Sequence, residues 1–307
     1  MDISQDTFPN LEELMMDCDC AEPLAKFFRK QEHVCELFKY RGFSSALAQG
    51  LRNLEKLHVV SHSFVEIICP YGLFNQDRQD LRELDMSEMD YLLHLWNENS
   101  QPGSTFQNLE ELEVSKCGRL KNLVPSSISF QNLKTLEVSK CHGLSCLVTP
   151  SVAKSLVQLW KLVITECNKM TEIVSDDGGD EAGHEISFSQ LGTLELHSLP
   201  NLKGFNLSTR TIRFPLLEEV IVTGCPELKI FSNGVLKTPK LTGVGLAEND
   251  ERSEWGYYYG KKFWEGDLNS TIKRFWEDNF DTCIQQLFTE KVHSHTFILF
   301  QFSKQFC

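Results

Sequence analysis

Apolar residues in this chain recur with a compound period, neither the alternation of a simple strand nor the 3.6-residue spacing of a helix. The stretches FQNLEELEVSKCGRL (106–120) and FQNLKTLEVSKCHGL (130–144) agree at eleven of fifteen positions and lie 24 residues apart. Their shared template is an aromatic residue followed by L-x-x-L-x-L-x-x-C/N-x-x-L-x-x-L. It is met by Leu109, Leu112, Val114, Cys117, Leu120 and Leu123, and again by Leu133, Leu136, Val138, Cys141, Leu144 and Leu147. Three further copies follow, starting at Leu159, Leu191 and Leu217. Upstream, units open at Leu11, Leu54 and Leu81, and a degenerate one at Leu241 closes the series. From Leu54 to Leu241 the units start 24 to 32 residues apart.

Each unit predicts a short strand over its L-x-L core, then a turn and an irregular return path. A single unit cannot bury its apolar face, whereas stacked units share a continuous leucine core and pair their strands in parallel. Parallel strands need a long crossover, which the rest of each unit supplies. Pro125, Pro150, Gly178, Gly179 and Pro239 fall in these crossovers, which predicts loops and short 3₁₀ turns there. The fold expected is therefore an α/β leucine-rich-repeat solenoid: a right-handed horseshoe of about eight to ten repeats. Its parallel sheet lines the concave face and its convex side is irregular. The repeat domain is expected over residues 1–250 and an aromatic-rich cap and tail over 251–307. A capping helix is expected in DLNSTIKRFWEDNF, where Ile272, Phe275 and Trp276 follow helical spacing. Between Leu11 and Leu54 a 43-residue gap admits either a poorly matching repeat or an insertion.

With leucines pointing inward, alternate strand residues point to the concave face. They sort into three columns. The first is Lys56, Glu83, Glu111, Thr135, Lys161, Thr193 and Glu219; the second is His58, Asp85, Glu113, Glu137, Val163, Glu195 and Ile221. The third, Val60, Ser87, Ser115, Ser139, Thr165, His197 and Thr223, is largely hydroxyls. In the second column Asp85, Glu113 and Glu137 stack on neighbouring strands, where like charges directly opposite are destabilising. Such a face suits a basic ligand; alternatively Lys116, Lys140 and solvent relieve the repulsion. The candidate protein-binding residues are Asp85, Glu111, Glu113, Glu137, Lys161, Glu195, His197 and Glu219. Cys117, Cys141, Cys167 and Cys225 occupy one repeat position and read as a column of buried structural thiols, each bonded weakly to a backbone carbonyl.

Composition narrows the function. A formal net charge of −13 and the lack of a basic stripe argue against a phosphate-tracking nucleic-acid binder. The acidic, non-apolar start MDISQDTFPNLEEL is not a secretory leader and no run of about 18 apolar residues is present, so a cytoplasmic protein without a membrane span is expected. Eleven cysteines then read as thiols, and no C-x-x-C pair at zinc spacing occurs. GYYYGKK (256–262) has three residues between its glycines and no Ser or Thr after the lysine, so it fails the phosphate-loop pattern. No catalytic constellation emerges, and neither catalysis, a cofactor nor a metal is expected. The sequons at Asn206 and Asn269 read as chance matches.

The units themselves, with TECNKMTEIV (165–174) and the terminal FWEGDLNSTI (263–272), resemble the leucine-rich-repeat region of plant disease-resistance proteins. The resemblance is to the coiled-coil class of nucleotide-binding leucine-rich-repeat immune receptors and covers roughly residues 8–280. It implies a sensor module that binds a pathogen effector or a guarded host protein and that, in full-length relatives, contacts the nucleotide-binding domain. The nucleotide switch itself has no counterpart in these residues. A leucine-rich-repeat substrate receptor of a ubiquitin ligase is the alternative.

Overall fold

The structure, a computed structural model, describes residues 13–17, 55–60, 67–69, 81–96, 108–175, 185–249, 257–277, 285–286 and 289. The gap segment of residues 20–50, most of the charged run at 176–184 and the apolar C-terminal tail lie outside the described residues.

The L-x-L cores form short strands, and burial alternates along those at Glu83–Ser87, Glu111–Ser115, Thr135–Ser139 and Lys161–Thr165. In chain order the strands are β1 (Glu13–Asp17), β2 (Lys56–Val60), β3 (Ile67–Cys69), β4 (Glu83–Ser87), β5 (His94–Trp96), β6 (Glu111–Ser115) and β7 (Thr135–Ser139). Helix α1 (Pro150–Ser155) follows, then β8 (Lys161–Thr165), β9 (Ile186–Ser187), β10 (Thr193–His197), β11 (Ile212–Arg213) and β12 (Glu219–Thr223). The series ends with β13 (Leu236–Lys237), β14 (Val244–Asn249), β15 (Tyr257–Phe263) and helix α2 (Leu268–Arg274). The main sheet runs β1-β2-β4-β6-β7-β8-β10-β12-β14-β15, parallel up to β14 and antiparallel at β15. The chain is thus a leucine-rich-repeat solenoid. β1 pairs directly with β2, Glu13 opposite Lys56, so no strand of the sheet stands between them despite the 43-residue gap.

Registry is uniform: Leu84, Leu112, Leu136, Leu162, Leu194 and Val220 are aligned partner to partner. Leu109, Leu112, Val114, Cys117, Leu120 and Leu123 are each 0–1% exposed, so one repeat contributes its whole template to the core. Burying a side chain of this kind stabilises by about 1.5–3 kcal/mol, but only because neighbouring turns close over it. Aromatics form a second spine. Phe188 stacks on Phe214 at 5.3 Å and Phe205 on Phe231 at 5.2 Å, and the two stacks meet edge-to-face at 5.3–5.5 Å.

The return side is irregular, as its composition predicts, yet it carries two short parallel ladders, β9-β11-β13 and β3-β5. A hydrogen-bonding row accompanies them. Ile173 O, for example, accepts from Leu147 N and Val148 N, while Ser175 N donates to Val148 O. This repeated exchange satisfies backbone groups that the core would otherwise strand.

Two rows beside the strands keep equally strict geometry. Just after each strand, Glu88, Lys116, Lys140, Glu166 and Ser198 adopt φ of +52° to +58°, and Gly224 +64°. A left-handed conformation costs a non-glycine residue about 1–2 kcal/mol. The turn recovers a ladder bond in exchange, as when Lys140 N donates to Thr165 O at 2.9 Å and Ser198 N to Thr223 O at 2.8 Å. Just before each strand, one carbonyl accepts from two successive N–H groups of the next turn: Glu110 O from Lys134 and Thr135, Trp160 O from Gly192 and Thr193.

The last turn is closed by α2. Asp267 caps its N-terminus by accepting from Ser270 N, and Leu268, Ile272 and Phe275 join the common core. Asn269 then stands in for the missing next turn. Its Oδ1 accepts from Phe231 N (2.8 Å) and Ser232 N (3.1 Å), and its Nδ2 donates to Ser232 O (3.0 Å), the same exchange that Ile173 and Ser175 make with the preceding turn. Trp276 Nε1 donates to Leu228 O at 3.1 Å. The other sequon residue, Asn206, is fully buried and donates to Val174 O. Both sequon asparagines are therefore engaged in backbone closure. Asn269→Ala should destabilise the fold by about 1–3 kcal/mol, with Asn269→Asp, which sets an acceptor-only carboxylate oxygen against Ser232 O, losing at least as much; urea midpoints measure both, and an unchanged midpoint for the alanine variant would contradict the closing role.

Candidate protein-binding face

The parallel register brings the three concave columns into straight rows. His58, Asp85, Glu113, Glu137, Val163, Glu195 and Ile221 are successive partners across β2 to β12. Lys56, Glu83, Glu111, Thr135, Lys161, Thr193 and Glu219 form the row beside them.

Among the described residues, side-chain partners reach the acidic row only at its ends. His58 Nδ1 lies 3.0 Å from Asp85 Oδ2, and Lys161 Nζ 2.8 Å from Glu137 Oε1. Lys116 and Lys140, the lysines expected to relieve the repulsion, point elsewhere. They sit in the left-handed turn after the strand, out of the concave alternation, where Lys116 pairs with Glu88 and Lys140 lies 4.0 Å from Glu166. Glu113, in the middle, has no ion-pair partner among the described residues. Its carboxyl pKa is raised, first by desolvation on the concave floor and then by the Asp85 and Glu137 charges, against a smaller opposing effect of His58. Asp85 Oδ1 is buried without a hydrogen-bond partner among the described residues. Elsewhere in the first row, Lys56 pairs with Glu83 at 2.7 Å and Lys262 approaches Glu219 at 3.8 Å, while Glu111 is exposed.

The concave side changes character past β8. Glu195 and His197 are 9% and 4% exposed, and Ile221 and Thr223 are buried beside them. Glu195 Oε2 lies 3.2 Å from His197 Nε2. Burial pushes the Glu195 carboxyl up, but the hydrogen bond and charge of His197, with Lys161, outweigh it and hold the group below its usual value. These two residues therefore form an internal pair rather than an open contact surface. The accessible part of the candidate face is Asp85, Glu111, Glu113, Glu137 and Lys161, with Glu219 standing apart.

The thiols of the cysteine column are free, fully buried and aimed at carbonyls: Cys117 at Ser115 O, Cys141 at Ser139 O and Val114 O, Cys167 at Thr165 O, and Cys225 at Thr223 O and Leu196 O, all within 3.3–3.7 Å. Burial pushes Cys167 and Cys225 up to about 12. Cys117 is raised as well, first by its contact with the Cys141 thiol and then by burial. Among the described residues no group of His, Cys, Asp or Glu is arranged to hold a metal ion, and no helix is long and apolar enough to cross a membrane.

Sorting by strand alternation alone misses the row at strand entry: Glu55, Arg82, Glu110, Lys134, Trp160, Gly192 and Glu218. From Glu55 to Gly192 each of these carbonyls takes two N–H donors of the next turn, which stacks the residues into a row of their own beside the strands. Arg82 and Lys134 both reach Glu110, at 2.8 and 2.5 Å, and hold its carboxyl below the usual value, the Lys134 hydrogen bond contributing most. Trp160, 55% exposed, breaks this charged run. Its sequence signal is the fixed offset of one residue before the first concave column.

A model of the leucine-rich repeats of RPS2-like plant disease resistance proteins matches residues 7–129 and 126–241. The chain belongs to that family. Among solved structures, the leucine-rich repeat domain of the type III effector XopL aligns at 18% identity with a TM-score of 0.46, over 78% of this chain and 73% of that one. No curated protein sequence matches this plant disease resistance-type repeat chain.

Two measurements test the site. A Glu whose folded pKa is raised destabilises the fold when ionised, and this penalty is absent below its unfolded pKa and complete above its folded one. Glu113→Gln should therefore be more stable than the parent at pH 7, by about 0.2–1 kcal/mol, with the gap closing as pH falls below about 4.5; thermal melts across pH read it, and a gap that widens on acidification would refute the assignment. Cys117, Cys141, Cys167 and Cys225 should resist iodoacetamide at pH 8 until the protein is unfolded, as mass spectrometry of the peptides will show.

Proposed function

We propose that this repeat chain is a protein-recognition module of the plant immune system, and that it receives a pathogen effector or a guarded host protein on the concave strip formed by β4, β6, β7 and β8. The observation that carries the reading is the row Asp85–Glu113–Glu137. Three carboxylates stand in register on one sheet face with side-chain partners, among the described residues, only at the two ends, an arrangement that costs stability by itself. A fold gains from such a row only when something positively charged completes it.

Family membership supports the same direction, since leucine-rich repeats present a broad curved surface suited to another protein. The role is binding, with no chemistry of its own, and it takes place in the cytoplasm. Stacked turns offer a wide face rather than an enclosed pocket. The described site consists of charges arranged for complementarity, without a nucleophile and base held together.

The experiment is proximity labelling by a biotin-ligase fusion in infected plant tissue, followed by affinity measurements with the recovered partner. Reversing Glu113 and Glu137 to Lys should weaken that partner at least tenfold, about 1.4 kcal/mol, with most of the loss at low salt. Unchanged affinity would sink the concave strip as the site. Recovery of ubiquitin-ligase scaffold subunits in place of immune components would identify a ligase receptor instead.

A further inference from the structure

The rim row contains one position that neither the family nor the acidic floor explains. Trp160 presents 55% of its surface to solvent at the entry to β8, in a row whose earlier members Arg82, Glu110 and Lys134 are mutually ion-paired. A single exposed apolar side chain is ordinary on a protein surface, so exposure alone says little and the geometry around this indole carries the inference. Its placement is specific. The next rung carries Gly192, and a Cβ there would stand 3.0 Å from Trp160 Nε1 and 3.4 Å from its Cδ1. The indole thus rests its pyrrole edge over a residue with no side chain, and even a methyl group there would make it give way by a few tenths of an ångström.

Beyond that gap comes Glu218, whose backbone N–H donates to Gly192 O at 3.0 Å. Trp160 and Glu218 are therefore two rungs apart, roughly 10 Å between Cα atoms at about 4.8 Å per rung, and the indole leans across the empty rung between them. The Glu218 side chain is 70% exposed and holds Lys240 loosely at 3.6 Å, a surface pair that a better cation displaces easily. Nearby positive charges do not oppose a cation here: Lys134 is held by Glu110 at 2.5 Å and Lys161 by Glu137 at 2.8 Å.

An aromatic face beside a solvent-exposed carboxylate is the pair of groups that a guanidinium satisfies together, by stacking and by a charge-assisted hydrogen bond. We infer that Trp160 and Glu218, separated by Gly192, form an arginine-binding notch on the rim, and that the notch takes one arginine of a protein partner whose basic segment continues onto the acidic floor. The net charge of −13 favours such a partner at long range. Lys161, next in sequence to Trp160, pairs with Glu137 at 2.8 Å, which puts the notch one residue from the end of the acidic row. The inference rests on the protein-recognition reading above and adds to it the residue type recognised and a second contact point.

The probe is the peptide acetyl-Gly-Ser-Arg-Gly-Ser-amide, alongside its citrulline counterpart, in which a neutral group of nearly the same shape replaces the guanidinium. The readout is the ¹⁵N–¹H indole cross-peak of Trp160 in the full chain, assigned by its loss in Trp160→Phe. The arginine peptide should move this peak saturably, at least fivefold further than the citrulline peptide at equal concentration. Glu218→Gln, an exposed and isosteric change, should cut the shift at least threefold. A null shift, equal shifts for the two peptides, or a shift indifferent to Glu218→Gln each overturns the notch. Failures at the two levels are separable. A partner that loses affinity on Glu113→Lys while the Trp160 peak ignores arginine refutes the notch alone. A notch that binds arginine while no partner responds to Glu113→Lys refutes the floor as the recognition site.

Discussion

Every other feature of this protein depends on the in-register parallel ladder between successive turns. A single unit of the template has six apolar side chains and a strand with two unpaired edges, and no way to hide either by itself. Stacking answers both demands together, because the repeat-to-repeat shift that pairs Leu112 with Leu136 also pairs Val114 with Val138 and places Cys117 beside Cys141. The cost of a misregistered turn is therefore large, and it is shared by the core, the backbone and the thiol column.

The same constraint explains why the surface is organised in rows. Once the ladder is aligned, any residue at a given offset must sit beside its counterpart on the next turn, whether or not the two charges agree. Most rows reconcile themselves locally: Arg82 and Lys134 share Glu110, Lys56 meets Glu83, and Lys140 lies by Glu166. The row Asp85–Glu113–Glu137 is not reconciled within itself, and its middle member has a raised carboxyl pKa, first from desolvation and then from its two acidic neighbours. Surfaces on repeat proteins are free to vary where the core does not need them, and this row is where the chain leaves like charges side by side.

The ends obey the ladder too. At its C-terminal end the sheet accepts an antiparallel strand, β15, and the return side accepts a side-chain amide in place of a peptide group. Asn269 is effective because an asparagine amide carries one acceptor and one donor in the geometry of the backbone it imitates. Trp276 and the buried face of α2 close the apolar layer behind it.

Leucine spacing alone determined the solenoid, the strand positions, the burial of the cysteines and the alignment of the three columns, because these follow from one local template iterated under a fixed period. Sequence also carried the family, through the repeated units and phrases such as TECNKMTEIV. What it left open was decided by contacts between turns. Lys116 and Lys140 turn out to serve Glu88 and Glu166 because the residue after each strand is left-handed, a conformation no side-chain pattern announces for lysine or glutamate. Glu195 and His197 occupy exposed-looking offsets yet are buried as a pair, and the rim row with Trp160 exists because entry carbonyls take two N–H donors. Alternation along one strand is a local property, whereas pairing partners, burial and exposure belong to the neighbouring turns, and only the assembled solenoid supplies those.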